Sequence, residues 1–326
     1  MNFKDLAARV LEGYQIDRNE GRAILASSRE QLDELLDAAE MLRMAAHGRD
    51  VTLHVLQNAK SGACPEDCSF CSQSTHFETD VQQYRMQTVQ ELVAAAQQAH
   101  SMGATRYCMV TSTRKPTDRE IKVVCDATRK IKESYPIEIC ASLGFLDQKS
   151  AEQLAEAGVD RFNHNIETSE RHFSNLVTTH TWQDRVDTVK TAKAAGMEAC
   201  CGGIVGMGEI LDDRLDLAFS LRDLAVESIP VNFLDPREGT PLGDSERLTA
   251  DDCLRVLAMM RFVNPGRDIR VAGGREKALG EKQALALKAA NSLFTEGYLT
   301  TGGQGYQHDV DLIENAGYRV ALVMPA

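Results

Sequence analysis

The sequence has no block of Lys and Arg. Its 36 basic residues are scattered among 48 acidic ones, and the formal net charge is −12. A nucleic-acid partner needs a basic stripe to meet phosphate, so nucleic acid is excluded as the main partner. An anionic membrane surface is excluded on the same ground. Long apolar runs are missing too. No stretch approaches the ~20 apolar residues that span a bilayer. The first residues, MNFKDLAARVLEGYQI, carry Asp5 and Glu12 where a signal peptide would have its apolar core. The expected location is therefore the cytoplasm. Aromatic residues are scarce, at 6%, while 43% of the chain is apolar and rich in Ala and Leu. That composition suits helices packed on a sheet. No low-complexity segment and no linker divides the chain.

What is present has two rhythms. Residues 1–46 read as a helical extension: Ser27 and Glu30 offer a capping box, followed by Leu32, Leu35, Leu36, Ala39 and Leu42 on one face. From residue 47 to 326, short β-prone runs alternate with helical ones. Strands are predicted at 51–57, 106–112, 137–143, 161–166, 198–205, 228–234, 268–273 and 292–298. Helices are predicted near 88–102, 118–134, 147–157, 182–195, 212–226, 249–262, 280–290 and 309–316. Gly103, Gly158 and Gly196 stand where three of them should end. Eight strands alternating with helices predict an α/β fold with a parallel sheet, and the count favours a closed (β/α)8 TIM-type barrel with an N-terminal helical extension.

Nine cysteines, in a compartment that keeps thiols reduced, favour metal binding over disulfides. Three of them, in SGACPEDCSFCSQS, are Cys64, Cys68 and Cys71, directly after the first predicted strand. Catalytic loops of such barrels lie at the C-terminal ends of the strands. No fourth Cys or His follows at the offset of a zinc site, although a distant ligand could complete one. A 4Fe-4S cube held by three thiolates keeps one iron open for a small molecule. Gly62 and Pro65 suit the turn that wraps such a loop, and Phe70 offers an aromatic face beside it.

The C-x3-C-x2-C spacing resembles that of the radical S-adenosylmethionine superfamily. The resemblance implies that the open iron binds S-adenosylmethionine, and that one electron cleaves it to a 5′-deoxyadenosyl radical. Cys108, Cys140, Cys200 and Cys201 lie in predicted strands, and Arg270 in another. A reduced Cys is commonly just a small buried residue, and an Arg can face outward. Over residues 45–320 the chain resembles the biotin synthase family, through NAKSGACPEDCSFCSQS, AGVDRFNHNIETS, GGIVGMGE, IPVNFLDPREGTPL and IRVAGGRE. That resemblance implies a 2Fe-2S cluster on Cys108, Cys140, Cys200 and Arg270. Of the adjacent pair, Cys200 fits the family pattern; strand neighbours face opposite ways, so Cys201 is the bystander, with Cys125 and Cys253.

The same resemblance places Asn165 and Asn232 against S-adenosylmethionine and dethiobiotin. It also places there Glu167, which departs from the family's usual Asp. It implies dethiobiotin as substrate, a flavodoxin- or ferredoxin-type electron donor, iron–sulfur assembly machinery and a homodimer. The alternatives are another radical enzyme with a related barrel, and a non-catalytic iron–sulfur protein.

Overall fold

The structure, a computed structural model, describes residues 1–299 and 302–321. Three helices open the chain: α1 (Phe3–Leu11), α2 (Arg18–Leu25) and α3 (Leu32–His47). The predicted apolar stripe of α3 is buried, and α3 packs on α1. The capping box at Ser27 and Glu30 does not form. Helix α3 starts after Gln31, whose amide oxygen accepts from the Ser28 N–H at 3.1 Å. Residues 28–31 close a separate turn, through the Gln31 N–H bonded to the Ser28 carbonyl, and the helix begins a step later.

The barrel follows. Its elements run β1 (Asp50–Lys60), α4 (Val89–Ser101), β2 (Arg106–Thr111), α5 (Asp118–Ser134), β3 (Glu138–Ser142), α6 (Gln148–Glu156) and β4 (Arg161–Asn163). They continue with α7 (Glu170–Phe173), α8 (Trp182–Ala194), β5 (Glu198–Cys200), β6 (Gly203–Val205), α9 (Leu211–Asp223), β7 (Ser228–Phe233), α10 (Ala250–Val263) and β8 (Asp268–Val271). The last are α11 (Arg275–Leu279), α12 (Gln283–Ala286), β9 (Ser292–Thr295), α13 (Tyr306–Asn315) and β10 (Arg319–Val320). Every strand pairing is parallel, and β9 pairs back on β1, closing a (β/α)8 barrel in which β5 and β6 share one position. Helices α2 and α3 pack on α10, so the N-terminal helices share a core with one flank of the barrel. Among the described residues, no helix is long and apolar enough to cross a membrane.

Local signals set most element ends. Thr117 and Glu120 form the capping box that starts α5, and Gly103, Gly158 and Gly196 take positive φ just past α4, α6 and α8. Long-range contacts set the exceptions. The strand predicted at 161–166 ends at Asn163, and the one predicted at 198–205 is split at Cys201 and Gly202. There the backbone crowds its neighbours: a Cβ on Gly202 would lie 1.9 Å from the Pro230 carbonyl oxygen. The Gly202 carbonyl accepts instead from the N–H groups of Ile166 and Glu167, at 3.1 and 3.2 Å. Gly202→Ala should therefore cost about 1–3 kcal/mol, the usual range for overpacking. The check is the denaturant midpoint of the variant, which should fall with unchanged slope. The helix predicted at 280–290 is likewise interrupted: a 3-10 turn, Gly280–Lys282, leads into the short α12, and α11 lies before it.

The alternation of the strands is unusual in what it sends inward. Tyr107, Met109, Ile139, Ala141, Phe162, Ile229 and Ile269 face the helices as apolar core. In the lumen, cysteines, asparagines, serines and arginines take many of the places that branched apolar side chains commonly fill in such barrels, beside a small apolar cluster of Leu56, Val110 and Phe294.

Candidate active site

At the C-terminal mouth, residues 61–88 link β1 to α4 and fold back on themselves. Isolated bridges join Ser61 to Tyr84 and Cys64 to Ser74. The Gln73 side-chain oxygen accepts from Ser61 Oγ at 3.1 Å and from the Gly62 N–H at 3.2 Å. The Cys71 N–H donates to the Cys68 carbonyl at 2.9 Å. The outer side is pinned to residues 176–180. Asp67 accepts from the N–H groups of Thr178 and Thr179 at 3.0 and 3.1 Å, and the Ser69 N–H donates to the Leu176 carbonyl at 3.0 Å. Glu66 pairs with His180 and accepts from Arg114 at 2.7 Å.

This bracing turns Cys64, Cys68 and Cys71 toward one cavity of about 300 Å³ at the barrel mouth. Phe70 lines the same cavity and packs in a small apolar cluster with Cys68, Phe173 and Leu176. Burial pushes the Cys68 thiol up to about 12 and the Cys71 thiol up to about 11. Left to themselves these thiols hold their protons at neutral pH. A cationic iron centre among them reverses that preference, which is how a thiol becomes a metal ligand. Among the described residues, no three His, Cys, Asp or Glu side chains converge on a single point as one ion requires. Ligands that each bind a different iron of a cube have no need to converge, so the donor set fits a cluster better than a lone zinc.

One residue of the mouth carries no signal in the sequence. Arg185, on α8, sits 3.9 Å from Cys68 Sγ. It donates to the Asn165 carbonyl at 2.8 Å, to Glu167 at 3.2 Å and to His180 Nε2 at 3.0 Å. Glu167 is buried with φ at +66°, and burial raises its carboxyl pKa against the pull of Arg185. Its other oxygen is 3.5 Å from Asn165 Nδ2. Asn165 accepts from the Gly202 N–H at 3.1 Å. Asn232 donates to the Gly203 carbonyl at 3.1 Å and accepts from the Gly273 N–H at 2.9 Å. Both amides brace the broken strand and line the cavity at once. His164 is buried between Phe145 and Phe162.

Deeper in the lumen, Cys108 and Cys140 are register partners on β2 and β3. The Cys140 thiol is within hydrogen-bonding reach of both Cys108 and Cys200; the Cys108 contact and burial hold it above the usual thiol range against the opposing pull of Cys200. Asn163 Nδ2 lies 3.3 Å from Cys200 Sγ and Arg270 Nη1 lies 3.6 Å from it. Cys201 points the other way, into the helix-facing core with Ile166 and Ala199. Cys125 and Cys253 also lie in helix-packed core. The seven residues singled out as ligands thus fall into two groups, Cys64, Cys68 and Cys71 at the mouth and Cys108, Cys140, Cys200 and Arg270 below.

The Radical SAM superfamily model matches residues 59–221, and the Biotin and Thiamin Synthesis associated domain model matches residues 230–319. A biotin synthase of Salinibacter ruber is 56% identical over 98% of this chain and 89% of its own length. One of Halalkalibacterium halodurans is 45% identical, covering 99% of this chain and 97% of its own. The chain belongs to the biotin synthase family. Solved structures bear on the fold alone. Methylornithine synthase superposes with a TM-score of 0.84 at 21% identity, covering 98% of both chains. The FeFe-hydrogenase maturase HydG of Carboxydothermus hydrogenoformans gives 0.81 at 15%, covering 98% of this chain and 79% of its own. Within a biotin synthase, a barrel whose lumen is lined by thiols and amides is a chamber for chemistry.

Proposed function

We propose that the chain converts dethiobiotin to biotin, the final step of biotin biosynthesis, by radical sulfur insertion. The observation that carries this is the pair of cysteine groups set one below the other in a single closed lumen. Cys64, Cys68 and Cys71 would hold a 4Fe-4S cluster; Cys108, Cys140, Cys200 and Arg270 would hold a 2Fe-2S cluster. When bound, the first supplies the electron that cleaves S-adenosylmethionine and the second supplies the sulfur atom.

The protein's own part is to bind, orient and exclude water. Arg185 puts a cation beside Cys68, and Phe70 gives the cosubstrate an apolar wall. Asn232 has one donor and one acceptor engaged with the chain, while Asn165 donates once, to Glu167, and accepts twice, from Gly202 and Asn163; an amide has two of each. The remainder suits a ureido ring and ribose hydroxyls, with Glu167 as a further acceptor. Walls that keep solvent out protect a carbon radical from quenching. The reaction consumes electrons and sulfur. It therefore calls for a flavodoxin- or ferredoxin-type donor and for iron–sulfur assembly machinery in a reducing cytoplasm. A homodimer of barrels spanning residues 47–326, each carrying its 1–46 extension, completes the reading.

The test is an anaerobic assay of iron- and sulfide-reconstituted protein with S-adenosylmethionine, reductant and dethiobiotin, read by mass spectrometry. Biotin together with 5′-deoxyadenosine is expected. 5′-Deoxyadenosine alone, with both clusters present, would move the substrate elsewhere. Neither product, with clusters verified, would leave a non-catalytic iron–sulfur protein.

A further inference from the structure

Below the lumen cysteines the barrel is filled with charge. Arg106, Arg161 and Arg270 enter from β2, β4 and β8, all buried. A buried guanidinium is costly without a partner. Arg106 and Arg161 meet Glu138 and Glu198 on the solvent side, where those carboxylate side chains are 54% and 51% exposed. One carboxylate reaches all three guanidiniums. Asp268 Oδ2 lies 3.0 Å from Arg161 Nη1, 3.3 Å from Arg270 Nη2 and 3.8 Å from Arg106 Nη1.

The remaining bonds keep that carboxylate from turning. Ser228 Oγ donates to Oδ2 at 2.9 Å. Ser292 Oγ and Asn291 Nδ2 donate to Oδ1 at 2.6 and 3.1 Å. Asn291 is itself fixed through its oxygen, which accepts from the Ile269 N–H at 2.9 Å and from buried Arg261 at 2.8 Å. Arg270 is then tied by one nitrogen: Nη2 donates to Ser228 Oγ at 2.9 Å and to Asp268. That leaves Nη1 aimed at Cys200 Sγ. Three guanidiniums against one inner carboxylate make a cationic floor under three thiols.

We propose that Asp268 is a positioning residue for the site of Cys108, Cys140, Cys200 and Arg270. It sets the direction of Arg270 and the field at the three sulfurs, and so the reduction potential of the cluster bound there. This rests on the two-cluster reading above and adds a residue to it. Net charge and hydrogen bonds to sulfur are the protein's main controls on such potentials.

The experiment compares reconstituted wild type with Asp268→Asn by iron and sulfide content, thermal unfolding, and redox titration followed by electron paramagnetic resonance. Removing the negative charge of Asp268 should make the lower cluster easier to reduce, by tenfold or more in the reduction equilibrium, about 59 mV upward for one electron. A two-cluster Asp268→Asn protein with an unshifted or lowered potential overturns the proposal, even if it melts earlier. Glu198→Gln makes the same charge change at a half-exposed position and should shift the potential much less. An equal shift would mean that total charge alone counts, and would also overturn it. Ser228→Ala keeps every charge and frees Arg270 Nη2 from the hydroxyl. It should alter the reduced-cluster spectrum even if Asp268→Asn fails to fold, and an unaltered spectrum overturns the proposal. Wild type that takes up one cluster only would defeat the two-cluster reading itself.

Discussion

Cys68→Ala is expected to abolish 5′-deoxyadenosine formation and, with it, biotin. The side chain is buried, faces the mouth cavity, and is flanked by Arg185. The loop does not depend on its sulfur for shape. Asp67 and Ser69, on either side, carry the bonds to residues 176–180. The variant should therefore fold, with iron content reduced by one cluster's worth. S-Adenosylmethionine cleavage at the wild-type rate would remove Cys64, Cys68 and Cys71 from the cluster assignment. Cys125→Ala is the matched control. That cysteine is buried in the helix-packed core next to α6, its thiol donating to the Gln153 carbonyl at 3.4 Å, and its loss should leave cleavage unchanged.

Cys140→Ala is expected to separate the two halves of the reaction. Cys140 is the middle member of the lower trio, in contact with both Cys108 and Cys200. Its loss should remove biotin formation while the mouth group still supports S-adenosylmethionine cleavage, so 5′-deoxyadenosine should appear without biotin. Normal biotin formation would reject the second cluster. Cys201→Ala gives the contrast one residue from Cys200: its side chain packs away from the lumen, so melting should change and biotin formation should persist. A null phenotype there would make Cys201 the lumen ligand.

Most of the fold was legible because its signals are local. The capping box at Thr117 and Glu120 and the glycines past α4, α6 and α8 act within a turn of the residues they punctuate. The mouth was legible for the same reason, since Cys64, Cys68 and Cys71 share one loop. The lower trio came from the family resemblance, and strand alternation added only that Cys200 and Cys201 face opposite ways. What escaped the sequence depends on residues distant in the chain. The break at Gly202 is made by Pro230, and the false capping box at Ser27 gives way to Gln31. Arg185 looks in sequence like any helix-surface arginine. Arg106, Arg161 and Asp268 stand at strand ends, where charge ordinarily meets water. Only closure of the barrel turns them on one another.

The unequal lengths of the strand ladders also have a mechanical meaning. A closed cylinder of strands is as strong as its weakest rung. On one side β1 and β2 share a long run of registered pairs, from His54 with Arg106 to Lys60 with Thr111. Elsewhere the ladders shorten to two pairs: β3 meets β4 at Cys140 with Arg161 and Ala141 with Phe162, and β8 meets β9 at Arg270 with Ser292 and Val271 with Leu293. Regions with few ladder bonds open before the whole molecule does. The barrel's shortest ladders therefore begin at Cys140 and at Arg270, so the tightest chemistry of the lumen borders its most easily parted walls.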